Sequence, residues 1–267
     1  MSAALFRRTL VAKRTEIFAT GLGMLVWGAV LPLIYATFGR EIGSFVRNNP
    51  ILSQFAQFGG GDLFTLPGTL ALGFVHPFTL LLMGITAIGF PALAIAGERE
   101  KGTLEVVLAR PISRRGLYLT LYLAGLIFLG ILLALQLVGG LASAMAMGVG
   151  DELDVARMPE LWLAGWLLFV AFMSITFAAS VMSDRLGPAI GIPLVFVLVN
   201  YLANAIGSIW PDVAWLEEYS MFNLVKAADV LTGGIAPSDV AILLAISASP
   251  VVFALVVFPR RDIAAPS

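Results

Sequence analysis

The sequence predicts an all-α polytopic membrane protein with six transmembrane helices. Three observations lead there. Of the 267 residues 59% are hydrophobic and only 12% are charged, about half the roughly 25% of a soluble domain. Six runs without Asp, Glu, Lys or Arg reach the roughly 20 residues that cross a bilayer: 17–39, 63–97, 116–150, 161–183, 186–211 and 240–259. The charges between the runs are sorted by sign. With the N-terminus inside, twelve of the sixteen basic residues fall on the cytoplasmic side and eleven of the seventeen acids on the outer side, as the positive-inside bias requires. Both termini are then cytoplasmic. Helices rather than strands follow because a helix satisfies its own backbone groups in lipid and no ten-residue alternating segments occur. The absence of cysteine excludes disulfides and thiolate metal sites, and a net charge of -1 argues against a nucleic-acid partner.

The elements follow in order within one membrane domain, 1–267. Over 1–16, Phe6, Leu10 and Ile17 recur at helical spacing while Arg7, Arg8, Lys13 and Arg14 take the remaining surface, which predicts an amphipathic helix at the cytoplasmic interface. The first span, about 17–38, is too long for a signal-peptide core. After Pro50, Ile51, Phe55 and Phe58 form an apolar face suited to the outer leaflet. Span two, about 69–97, carries a stripe of His76, Thr79, Met83 and Thr86. Metal ligation by His76 would need further ligands, so the stripe packs helices or lines a pathway, and no metal site is expected. Span three, about 115–148, places Gln136, Gly140 and Ser143 on one face. Span four, about 161–183, is joined to span five, about 187–209, by Ser183-Asp184-Arg185. Asn200, Asn204 and Gly207 share a face of span five that lines an interface or pathway, or bonds between helices. Before span six, about 239–259, Trp215, Tyr219 and Phe222 sit near Glu217 and Glu218, and Lys226 is placed to pair with Asp229.

The loop at 98–114, EREKGTLEVVLARPISR, is the most specific local feature. Gly102 breaks the preceding helix, Thr103 can cap a new one, Leu104, Val107 and Leu108 line one face, and Pro111 ends it. Ser113 can cap span three. A short cytoplasmic helix between spans two and three results, apolar on one side and charged on the other, suited to a groove in a partner.

This loop resembles the Glu-Arg-Glu-x-Gly-Thr-Leu-Glu segment, followed by Pro-x-Ser-Arg, of the permease subunits of ABC-2 type transporters. Phe258-Pro259-Arg260-Arg261-Asp262-Ile263 is similar to the Phe-x-Arg-Arg-Asp-aliphatic ending of the same family. Tyr219-Ser220-Met221-Phe222 with Leu231-Thr232-Gly233-Gly234 resembles its outer segment, with Met221 where proline is usual. The resemblance implies an exporter in the plasma or inner membrane of a prokaryote, dimerising with a second copy or paralogue and docking two separate ATPase subunits. Drugs, lipids, glycans and peptides are the range of cargo it implies. ATP and Mg belong to the ATPase partner, and no cofactor is expected in this chain. No G-x-x-x-x-G-K-[ST] is present to cradle phosphates. Glu98, Arg99, Glu100, Lys101, Glu105 and Arg110 are the expected ATPase contacts, Leu104 and Leu108 the face that docks, and Gly102, Thr103 and Pro111 the residues that shape the element, with Ser113 and Arg114 completing the coupling segment. Asp184 and Arg185 form a smaller second contact. An ATP-independent secondary transporter is the alternative, but no Asp, Glu, Lys or Arg lies well inside a span to bind a coupling ion. An intramembrane enzyme fits less well, because His76 has no nucleophile or carboxylate partner in the spans.

Overall fold

Six helices long and apolar enough to cross a membrane follow one another in the computed structural model, which describes residues 2–49 and 64–262. They are Ala3–Gly39, Pro77–Glu100, Arg114–Ala146, Val155–Met182, Leu186–Ile209 and Pro237–Arg260, called spans one to six below. Among the described residues there is no strand. The apolar face of Ile51, Phe55 and Phe58 lies outside the described residues, as does Ile263.

Span one corrects the first expectation. Ala3–Ile34 is one uninterrupted α-helix, continued by a π-turn at Tyr35–Gly39, rather than an interfacial helix followed by a separate span. The reason is local: no Gly or Pro occurs between Ala3 and Thr20, so nothing breaks the chain where polarity changes. At 1.5 Å per residue Ala3–Gly39 is roughly 55 Å long, against about 30 Å of hydrocarbon. It is thus longer than a bilayer core needs, and its first turns carry Arg7, Arg8, Lys13 and Arg14.

Spans one and three run parallel and touch backbone to backbone. A Cβ on Gly28 would sit 2.0 Å from the Gln136 carbonyl oxygen, and one on Gly139 would sit 2.1 Å from that of Leu25. Only glycine permits this approach, and close packing of small residues holds helices where lipid offers no hydrophobic drive. Span four is the central element and packs against spans two, three, five and six. The Trp162 and Trp166 indoles donate to the Gly130 and Leu126 carbonyls of span three, both at 2.9 Å.

Span two is broken inside its predicted range. Leu66–Val75 forms one helix, His76 is extended at ψ 139, and Pro77 starts the next. Proline has no N–H for the Gly73 carbonyl one turn back. The Gln136 amide donates to that carbonyl at 3.0 Å, the Thr79 hydroxyl at 2.5 Å and the Trp27 indole at 3.4 Å. His76 itself caps the new helix, its Nδ1 accepting from Phe78 N–H at 3.2 Å. Below the break, π-turns at Ile85–Gly89 and Leu93–Gly97 flank Pro91. There the Ser180 hydroxyl of span four donates to the Pro91 carbonyl at 2.9 Å and accepts from Ala96 N–H at 3.0 Å.

The segment between spans five and six folds back onto the bundle. Met221, Phe222, Val225, Val230 and Leu231 are all buried, with Phe222 packed on Phe172 and Tyr201. Lys226 pairs with Glu217 at 3.4 Å, which corrects the local Asp229 pairing: the fold brings the partner from an earlier turn.

Candidate functional site

Three segments far apart in sequence meet at the basic end: the loop 98–114, the Ser183-Asp184-Arg185 turn and the end of span six. Arg99 is the knot. Its guanidinium is 1% exposed and donates to the Ser183 carbonyl at 2.7 Å and the Val181 carbonyl at 3.3 Å. Asp184 lies 3.6 Å from the same nitrogen, while Nε and the second terminal nitrogen have no hydrogen-bond partner. Asp184 also takes a 2.6 Å ion pair from Arg261. That hydrogen bond, with the charges of Arg261 and Arg99, holds the Asp184 carboxyl below the usual carboxylate range despite its exposure. Arg114, at the start of span three, donates to the carbonyls of Phe258, Pro259 and Arg261. Arg115 adds a bond to the Leu255 carbonyl at 3.0 Å. Glu100 reaches the start of span five, where Oε2 accepts from Leu186 N–H at 2.9 Å and meets the positive end of that helix.

The loop helix is Thr103–Leu108, entered through Gly102 at φ +70. A side chain is strained in that left-handed conformation, which is why glycine stands there. Thr103 does not cap the helix it opens. Its hydroxyl donates backwards to Glu98, to the carbonyl at 3.1 Å and the carboxylate at 2.7 Å, and so ties the loop helix to the end of span two. Ser113 does cap span three, accepting from Gly116 N–H at 3.0 Å.

The apolar face of this helix is turned inward, contrary to the partner-groove expectation. Leu104 is 1% exposed, and Val107 and Leu108 pack on the core with Leu5 and Leu10 of span one. Burying these residues in the chain's own core leaves Lys101, Glu105, Val106, Arg110 and Pro111 as the outward surface. Val106, at 68% exposed, is the apolar residue of that surface. Thus Arg99 and Leu104 face inward and act on the loop's position, whereas Lys101, Glu105 and Arg110 remain accessible, as does Arg185 beside them in the next loop.

The polar residues within the spans are held mainly by the chain itself. Asn200 accepts from Met221 N–H at 3.0 Å through its side chain, and its carbonyl accepts from the Ser220 hydroxyl at 2.9 Å. Asn204 is buried on the same face, and a Cβ on Gly207 would meet the Glu217 backbone at 2.6 Å. This face is covered by the folded-back segment. Thr79 and Gln136 serve the Gly73 carbonyl, and the Thr86 hydroxyl is buried without a partner. Among the described residues no three His, Asp or Glu side chains gather to hold a metal ion. Sequence reasoning missed Ser180 and the inward aim of Arg99. The signal for Ser180 was Pro91, which disturbs the backbone bonding of span two and makes a polar neighbour useful.

No curated protein matches the sequence. A family model described as ABC-2 family transporter protein matches residues 24–263, a range that takes in five whole spans, the second part of span one and the cluster around Arg99. The chain belongs to the ABC-2 transporter family and is a membrane-embedded transport component of an ABC transporter.

Proposed function

We propose that the chain is an exporter permease driven by a separate ATPase subunit that docks on the loop helix Thr103–Leu108 at the cytoplasmic side. The observation that carries this reading is the bonding around Arg99. Thr103 and Glu98 couple the loop helix to span two, Arg99 couples it to the end of span four, Glu100 to the start of span five, and Asp184 to Arg261 after span six. A push on the outward surface therefore reaches the ends of four spans through direct bonds and that of span three through the peptide chain. Such a bonded cluster transmits displacement in a way that an isolated solvated loop would not.

The basic end is cytoplasmic in this reading, because Lys and Arg of short loops stay inside, and both termini lie there. The protomer pairs with a second copy or a paralogue in the plasma or inner membrane. An open apolar groove of about 410 Å³ between spans two, four and five, with Leu81, Ile85, Leu198 and Tyr201 on its walls, forms part of the path and suits an amphiphilic cargo. ATP and Mg bind to the partner subunit.

The test is co-expression with the candidate ATPase followed by affinity purification. Lys101→Glu and Val106→Asp alter the outward surface and spare the core, so the permease should melt at its normal temperature while losing the ATPase. Recovery of both variants with the ATPase at wild-type affinity would rule out docking on this helix.

A further inference from the structure

Two hollows at the basic end, between the start of span one and the loop helix, have no role in the cluster around Arg99. The outer one, about 420 Å³, is walled by Leu5, Val107 and Ile112, with Arg8 and Arg110 at its edge. The deeper one, about 190 Å³, shares Leu5, Arg8 and Val107 and runs down to Phe90, Leu117 and Leu121. Leu121 lies seven residues inside span three from Arg114, roughly 10 Å along the helix. The slot thus starts between Arg8 and Arg110, passes Lys13 and Glu98, and ends on apolar side chains about two turns into span three.

Arg8 and Arg110 are exposed, and neither has an ion pair among the described residues. The acids nearby are engaged: Glu98 accepts the Thr103 hydroxyl at 2.7 Å and Glu16 pairs with Lys13 at 2.6 Å. Two unpaired guanidinium groups suit a phosphate, and an apolar floor below them suits a chain attached to it. We infer that this slot binds an anionic phospholipid, with its phosphate between Arg8 and Arg110 and an acyl chain along Leu5, Val107 and Leu121. Val107 belongs to the loop helix and Leu5 to the first helix, so the bound lipid bridges the two and ties the position of the loop helix to the composition of the leaflet. The inference goes beyond ATPase docking and depends on Arg8, which is outside the docking surface.

The full chain in nanodiscs of phosphatidylcholine with added phosphatidylglycerol provides the test, with retained lipid counted by native mass spectrometry. Arg8→Gln and Arg110→Gln should each lower phosphatidylglycerol occupancy by about fivefold, the weight of one basic residue at an anionic surface. Ala12→Phe, which fills the deeper hollow from an exposed position, should lower it as well, while Arg185→Gln should leave it unchanged. Three results would overturn the inference. One is occupancy indifferent to both arginine variants. Another is competition by glycerol phosphate as effective as by the lipid, which marks a headgroup-only anion site. The last is loss of ATPase association in Arg8→Gln with lipid occupancy intact, which marks a protein contact.

Discussion

A buried arginine is costly unless its neighbours answer it, and Arg99 is answered by two carbonyls and one carboxylate at the end of span four. Replacing it with Met should leave the Val181 and Ser183 carbonyls without this donor and lower the melting temperature of the purified protein, with ATPase coupling lost beyond what the melting shift explains. Asp184 supplies a pH signature. Its folded pKa is depressed, chiefly by the Arg261 hydrogen bond, so its contribution is present above the ordinary carboxylate value of about 3.9 and is lost as pH falls through the lower folded value. Melting curves should show that loss at acid pH in the wild type, and Asp184→Asn should remove it. Met221 also has a physical reason to depart from the family's proline. Its N–H donates to Asn200 at 3.0 Å, and Met221→Pro should destabilise the folded-back segment by about 1 to 3 kcal/mol, the cost of an acceptor left buried and unmade.

At the scale of elements, the loop helix shows how far periodicity reaches. Its existence, its entry at Gly102 and its apolar face were legible in EREKGTLEVVLAR, because breakers and i, i+3, i+4 spacing are local properties. Which way the face points was not, since the answer lies in a core assembled from segments distant in the sequence. Leu104→Ala should therefore cost about 2 to 5 kcal/mol of stability, as for other buried leucines, where a docking residue would cost little. Thermal unfolding in detergent separates the two. The break at His76–Pro77 was legible as a residue pair yet not as a device. Only the fold shows Gln136 and Thr79 arriving at the Gly73 carbonyl that proline leaves free. The uninterrupted first helix reverses the lesson: the change of polarity near Ile17 was real, but polarity alone does not end a helix.

Across the whole molecule, six charge-free runs and a sorted set of arginines were enough for the span count, because lipid penalises every misplaced charge. Long-range bonding was invisible to the same reading. The assembly of Arg99, Glu100, Asp184, Arg114 and Arg261 depends on spans two to six being packed around span four, and no spacing rule reports that. The parallel contact of spans one and three is of the same kind. Gly28→Leu or Gly139→Leu should force the two helices apart and prevent recovery of folded protein, measured as the monodisperse fraction after extraction. The central claim, that the loop helix faces a cytoplasmic ATPase, is open to a direct measurement because the chain contains no cysteine. Val106→Cys introduces one thiol on the outward surface, and Trp215→Cys one at the opposite end. The account predicts that Val106→Cys in intact cells is closed to a membrane-impermeant maleimide and cross-links to the ATPase in inverted vesicles, while Trp215→Cys is labelled from outside and forms no such link. Labelling of Val106→Cys from outside the cell, or an ATPase cross-link from Trp215→Cys instead, would contradict it.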